Sequence, residues 1–244
     1  MDSRIARRLV DLNQEFYQSF ASSFAQTRRS VRPGVARLVA RIPLEARILD
    51  LGCGSAPVLA LLAAQGHQGS YLGLDLSQPL LDLAARDLPA PAPFPVQFTR
   101  ANLFEPGWVE GLAAGYDRIV SFAFLHHIPS HLARLGFLRQ VHELLNPAGR
   151  FLFSTWHFTR SPRLRARILP WAIANLSEQE LEPGDYLLDW RHGGTGVRYV
   201  HVIDQAERTR LAHESGFEEC ETFESDGEEG NLADYSVWSP RGPG

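Results

Sequence analysis

The sequence predicts an α/β fold built on a parallel sheet. Between residues 47 and 155, short apolar runs alternate with stretches of helical period, the rhythm of repeated βαβ units. The first of these runs ends in a glycine turn, Gly52-Cys53-Gly54. No apolar stretch approaches the roughly 18 residues that a membrane helix needs. A length of 244 residues with 44% hydrophobic and 21% charged content suits one globular α/β domain.

Ile5, Leu9, Leu12, Phe16, Phe20 and Phe24 recur every three or four residues, which predicts a helix over 3–26 with one apolar face. Pro33 opens a second, short helix. A strand over 47–51, a helix over 57–65, a strand over 70–74 and a helix over 78–87 follow. A proline-rich connection over 89–95 leads to a strand over 95–99. A fourth strand is expected over 116–121, a helix over 132–145 and a fifth strand over 150–155 after the turn Asn146-Pro147-Ala148-Gly149.

Residues 157–197 break the rhythm with arginines, Trp171, Trp190 and a glycine-rich loop, and read as a substrate-side insertion. Asp204-Gln205-Ala206-Glu207 fits a capping box opening a helix to about residue 215. Segments 217–223 and 233–238 then read as an antiparallel hairpin. There is no internal repeat.

Charge and cysteine usage narrow the class. The net charge is −4, which argues against a uniformly cationic nucleic-acid surface. Every basic residue is arginine; Arg160, Arg163, Arg165 and Arg167 cluster, as do the acids from Glu218 to Glu229. The arginine cluster reads either as a binding patch or as a solvated helix face. Cys53 and Cys220 are the only cysteines, so neither a disulfide framework nor a cysteine zinc site is indicated, and both read as buried thiols. His126, His127 and His131 straddle Pro129 without a nearby cysteine, and no metal is assigned to them. The polar N-terminal segment and the absence of an apolar span make the cytoplasm the expected compartment.

The chemistry begins at the turn. Two glycines one residue apart let the backbone approach a ligand closely while the next helix points its N–H groups at it. Asp50 precedes the turn, and the loop lacks the spacing of a dinucleotide fingerprint. Asp75 ends the second strand, where a carboxylate accepts ribose hydroxyls.

These segments resemble the motifs of class I S-adenosylmethionine-dependent methyltransferases. Residues 49–54 are similar to the first motif, 74–77 to the second, 117–128 to the fourth-strand motif and 144–150 to the loop before the fifth strand. The resemblance implies a Rossmann-like seven-stranded sheet with an antiparallel last strand, an N-terminal helical lid and an insertion after strand 5. It divides the one domain into a lid (1–42), a cofactor-binding core (47–155), the insertion (156–203) and a C-terminal helix and hairpin (204–240).

S-adenosylmethionine is the implied cofactor. In that frame Gly52, Cys53 and Gly54 pass under its methionine and ribose, Asp75 holds the ribose hydroxyls, Leu76 packs on the adenine and Ser121 contributes backbone at the methionine end. Asp50, Asn102 and Leu103 complete the expected set. Two positions depart from the pattern: Ala56 stands at a common glycine, where one methyl is expected to cost little, and Asn102 stands at the usual acid. Asn102 can still accept from the adenine amino group.

Residues 16–28, 184–190 and 198–202 further resemble the family that methyl-esterifies the 5-carboxymethyl group of wobble uridine in tRNA. That resemblance implies tRNA as substrate and, for some members, a small zinc-containing activator protein as partner. An ionised carboxylate needs no deprotonation, so alignment and desolvation carry the implied chemistry. Arg198, His201 and His126 are the candidates for orienting the substrate, and Tyr17 and Arg28 for touching the cofactor, Arg28 at its methionine carboxylate. Trp156, Trp171 and Trp190 read equally as base-stacking platforms and as packing anchors. Two alternatives stay open: the same enzyme class acting on a small carboxylic acid or metabolite, and a non-catalytic module that binds the cofactor.

Overall fold

The computed structural model describes residues 1–26, 31–88, 92 and 94–242, without the side chains of residues 21–26. The chain opens with helices α1 (Ser3–Gln26) and α2 (Pro33–Val39). Strands β1 (Arg47–Leu51), β2 (Ser70–Asp75) and β3 (Val96–Arg100) alternate with helices α3 (Pro57–Ala64) and α4 (Gln78–Arg86). Then come β4 (Tyr116–Phe122), α5 (His131–Leu144) and β5 (Leu145–Trp156). The proline-rich connection lies largely outside the described residues, as does the side chain of Phe24.

After β5 the chain forms α6 (Pro162–Arg165), β6 (Ile168–Leu169), β7 (Asp185–Trp190) and β8 (Gly196–His201). It closes with α7 (Gln205–Glu214), β9 (Phe217–Ser225) and β10 (Ala233–Pro240). The central sheet has seven strands in the order β3-β2-β1-β4-β5-β10-β9. The first five pair in parallel, and β10 lies antiparallel between β5 and β9. The fold is thus an α/β sheet of the Rossmann-like type, with its last strand reversed.

Alternation along β1 shows how the sheet is held. Ile48 packs into one cluster with Val120, Leu152 and Leu38 of α2. Leu49 and Leu51 face the other side with Ile119, Phe151 and Leu138 of α5. A strand buried on both faces reads as a continuous apolar run, which is what Ile-Leu-Asp-Leu supplies around one acid. Truncating a leucine here to alanine costs about 2–5 kcal/mol.

Four details depart from expectation. First, β5 starts at Leu145, because the backbone through Asn146 and Gly149 bulges between the pairs Tyr116–Leu145 and Arg118–Arg150. Second, the insertion, for which no elements were expected, folds into a three-stranded antiparallel sheet, β6-β7-β8. β7 and β8 pair as a hairpin across a glycine-containing turn, with Asp185, Asp189 and Arg198 set among their apolar residues. Third, only half of the capping box forms: Asp204 accepts the Glu207 N–H at 2.8 Å, but the Glu207 carboxylate turns away to His201 and Arg134. Fourth, Cys220 is exposed on edge strand β9, while Cys53 is buried.

Helix α1 packs on the insertion sheet. Leu9 joins Leu187, Tyr199 and Leu176 in one buried cluster. Between them Asn13, fully buried, takes the Tyr199 N–H at 2.8 Å and donates to the Tyr199 carbonyl at 3.1 Å. A side-chain amide thereby ties the helix to β8 as a neighbouring strand would. Among the described residues no helix is long and apolar enough to cross a membrane.

Candidate active site

The carboxyl ends of β1, β2 and β4 open on a cleft roofed by α1 through Gln14, Tyr17 and Gln18. Its floor is the glycine turn. Gly52 has φ of +75°, and a Cβ there would stand 3.0 Å from the Phe124 ring, so bare backbone is required twice over. The N–H groups of Gly52 and Cys53 both bond the Leu74 carbonyl, at 2.9 and 3.0 Å, which folds the turn against β2.

Asp75 is fixed by the same turn. Its carboxylate oxygens accept from Gly54 N and Ser77 N, each at 2.8 Å. Burial pushes its pKa up, and the N–H bonds pull against that. Each oxygen keeps a further lone pair for a ligand hydroxyl. Leu76 and Leu103 stand in the same wall and give it apolar surface. A carboxylate beside apolar walls and a floor that tolerates no side chain fits the nucleoside of S-adenosylmethionine.

A second recess lies behind the turn, lined by Arg32, Asp50, Ser154 and Tyr235 among others. Asp50 accepts from the Tyr71 hydroxyl at 2.6 Å, and burial drives its pKa up to about 7, with the Asp75 charge adding to the rise. Arg32 lies 3.6 Å from Asp226.

The remaining predicted residues are dispersed. Tyr17 lines the cleft. Ser121 is buried and donates to the Leu51 carbonyl at 3.0 Å, away from the cleft wall. Asn102 turns back to cap its own loop, accepting from Phe104 N at 3.2 Å, and leaves the wall to its neighbours Ala101 and Leu103. Arg28 lies outside the described residues. His126 is buried beneath the cleft and takes the Trp156 N–H on its Nδ1 at 3.3 Å.

His201 sits elsewhere altogether. Its two ring nitrogens bond Asp185 and Glu207, each at 2.7 Å. Arg134, almost wholly buried, joins Glu207 to Glu182. Burial works against charge on His201, but the two carboxylates outweigh it and raise its pKa. This is a structural ion network under the insertion, not a substrate contact.

Arg198 is the outlier. It is buried, with Trp156, Trp190 and Phe16 rings around its guanidinium at 4.7, 5.4 and 5.7 Å. Burial pushes its pKa down, the nearby Tyr17 oxygen opposes that, and Arg167 and Arg32 add like charge. Its Nε has no hydrogen-bond partner among the described residues. Two of the three tryptophans weighed as platforms therefore serve as the walls of a cationic cage.

Sequence reasoning missed His127 and the glutamines of α1. His127 accepts or donates at Nε2 to the Tyr17 hydroxyl, 2.7 Å away, and both line the cleft. A tandem histidine ending a strand was visible, but only the fold shows which ring faces the cleft.

A family model described as a methyltransferase domain matches residues 23–222. The chain belongs to that family. It is a class I S-adenosylmethionine-dependent methyltransferase, an enzyme whose cofactor is S-adenosylmethionine. The trans-aconitate 2-methyltransferase of Deinococcus radiodurans is 37% identical over 206 residues, covering 68% of this chain and 75% of that protein. The tRNA (carboxymethyluridine(34)-5-O)-methyltransferase ALKBH8 of Mus musculus is 27% identical over 143 residues, 58% of this chain. The match spans 19% of that relative's length. Among solved structures, a methyltransferase of Methanosarcina mazei described as dependent on S-adenosylmethionine superposes with a TM-score of 0.66 at 21% identity, over 87% of this chain and 99% of its own.

Proposed function

We propose that this methyltransferase delivers its methyl group to a carboxylate oxygen of a small organic anion. The observation that carries the reading is Arg198: a buried cation enclosed by the rings of Trp156, Trp190 and Phe16, close to Tyr17 of the cleft wall, with like charges near it and no carboxylate paired with it among the described residues. Burying a charge without an opposite one is costly, and an anionic acceptor supplies it. The similarity to a trans-aconitate 2-methyltransferase, whose acceptor is a small organic anion, fits this chemistry.

S-adenosylmethionine, when bound, supplies an electrophilic methyl group on a sulfonium. The chain's own part is to hold and exclude. Asp75 takes the ribose hydroxyls, Leu76 and Leu103 flank the adenine, and Arg32 offers its cation and Asp50 a hydrogen-bonding carboxyl to the amino-acid end. Helix α1 covers the cleft, which keeps water from the reacting groups and strengthens the pull of Arg198.

A second reading keeps the carboxylate but places it on 5-carboxymethyluridine of tRNA. It is favoured by the motifs at 16–28 and 198–202 and by the similarity to ALKBH8. Against it, Arg160 is committed to Asp234 and Glu224, which leaves Arg163 and Arg165 as the exposed basic residues of that cluster. The strand edges speak to the activator partner that this reading implies: β9 is lined with glutamates, and β3 exposes Gln97, Thr99 and Arg100. Charged and polar edges do not favour strand addition.

Labelled cofactor separates the two. The chain is incubated with trans-aconitate and related polycarboxylic acids, and separately with tRNA carrying 5-carboxymethyluridine. Label in a base-labile ester of an acid is the expected result. Label confined to tRNA would replace the first reading with the second.

A further inference from the structure

We propose that Tyr17 and His127 form a proton-accepting pair in the cleft wall, which lets this enzyme methylate a hydroxyl of an anionic acceptor as well as a carboxylate. The inference rests on the anionic-acceptor reading for what holds the substrate. An ionised carboxylate has no proton to lose, so ester formation alone leaves this pair without a task.

The direction of the bonds follows from the partner that has no choice. A backbone carbonyl only accepts, so the Tyr199 carbonyl takes its hydrogen from His127 Nδ1, 3.2 Å away. In the neutral ring Nε2 then carries the lone pair, and the Tyr17 hydroxyl, 2.7 Å from it, is the donor. Asn13 holds the same Tyr199 peptide through both its N–H and its carbonyl, and its amide also reaches the His127 carbonyl at 3.5 Å. The tautomer is therefore set by backbone that the lid helix itself clamps. Arg198 completes the row, its cation beside the Tyr17 oxygen.

An acceptor hydroxyl resting against Tyr17 gives its proton to the Tyr17 oxygen as Tyr17's own proton passes to His127 Nε2. One O–H bond breaks at the acceptor and one forms at Tyr17; one O–H bond breaks at Tyr17 and one N–H bond forms at His127. The acceptor oxygen keeps the electron pair for the methyl group. The ring becomes an imidazolium held by the Tyr199 carbonyl and returns its proton to water after turnover. Tyr17 touches the acceptor, and His127 is the positioning residue behind it.

Two measurements test this. In the full-length chain, ¹⁵N spectra of labelled histidine, with His127→Gln to identify the ring, should show neutral His127 protonated at Nδ1. Tyr17→Phe should shift the Nε2 resonance. A ring protonated at Nε2 overturns the pair. Separately, hydroxy acids are methylated with labelled cofactor, and products are sorted into esters, which mild base cleaves, and ethers, which it does not. The ether-to-ester ratio should fall about 100-fold in Tyr17→Phe and in His127→Gln, the lower range for loss of a positioned acid–base group. Esters without ethers in the unaltered enzyme, or an unchanged ratio in both variants, sinks this inference alone. Ethers without esters sinks the carboxylate reading alone, and neither product sinks both.

Discussion

On one side of the cleft, Gly52, Cys53, Gly54, Asp75 and Leu76 come from two adjacent strand ends and act largely through backbone geometry. On the other, Tyr17 and His127, with Arg198 buried close to Tyr17, come from three segments that meet only in the folded chain and present their side chains. The first half needs a turn, two bare glycines and one carboxylate, all fixed by local sequence. The second needs a helix, a strand end and an inserted hairpin to arrive together. The first, nucleoside half is therefore fixed by local sequence, and the second, acceptor half only by the assembly of the fold.

The largest test of that division lies under the acceptor half. His201→Ala leaves Asp185 and Glu207 buried without the ring between them, a loss expected to cost about 3–5 kcal/mol in urea denaturation. Calorimetry at a temperature where the variant is folded should show cofactor affinity unchanged. A variant as stable as the parent would return His201 to the list of substrate contacts. In the nucleoside half, Asp75→Ala removes two hydrogen bonds from a charged group, each about 1.5–3 kcal/mol, and should weaken S-adenosylmethionine binding about 100- to 10,000-fold. Unaltered affinity would place the ribose elsewhere.

Arg198→Met should raise KM for an acid acceptor about 10- to 100-fold, the value of one charged hydrogen bond, with cofactor affinity kept. An equal loss in both affinities would make Arg198 a packing residue of the shared floor.

The pH dependence of stability separates the halves again. The Asp50 carboxyl moves from an ordinary 3.8 to about 7 on folding, so the folded chain holds an extra proton between those values. That contribution is complete below about pH 4 and lost as pH rises to 7, at no more than about 1.4 kcal/mol per unit. His201, whose pKa is raised, adds a loss of the same sign above 6.5. Asp234, lowered to about 2, contributes above 4 and fails only in stronger acid. Denaturation of Asp50→Asn at pH 4.5 to 8 should show a flatter curve than the parent; an identical curve would mean that Asp50 is ionised when folded.

The smallest effect concerns Ala56. It adopts the left-handed conformation, φ 53° and ψ 51°, ahead of α3, so its methyl is a backbone problem and not the question of space that the sequence suggested. The strain is about 1–2 kcal/mol, partly offset by glycine's extra chain entropy. Ala56→Gly should stabilise the enzyme by up to about 1 kcal/mol, read as a rise in Tm.

Legibility followed the same line as the chemistry. The strands and the turn were readable because each is announced by neighbours in sequence: Ile48-Leu49-Asp50-Leu51 by its apolar run, Asp75 by its place at a strand end. The hairpin of β7 and β8 was hidden because Asp185, Asp189 and Arg198 interrupt its apolar pattern, and their burial depends on partners far along the chain. His201 looked like a substrate ligand for the same reason. A histidine beside an arginine on a strand gives no sign that Asp185 and Glu207 enclose it. His126 and His127 differ by one position, and only the pleat and the lid decide which ring reaches the cleft.

The strand order carries a consequence for how this chain is made. Because β10 lies between β5 and β9, β9 leaves the ribosome before the neighbour it must pair with exists. At roughly 5–20 residues per second, the nascent chain spends a second or so with one finished edge on β5 and one orphan strand. Such a strand is a template for pairing with other chains. Glu218, Glu219, Glu221 and Glu224 on β9 give it a charge that repels its own copies while it waits.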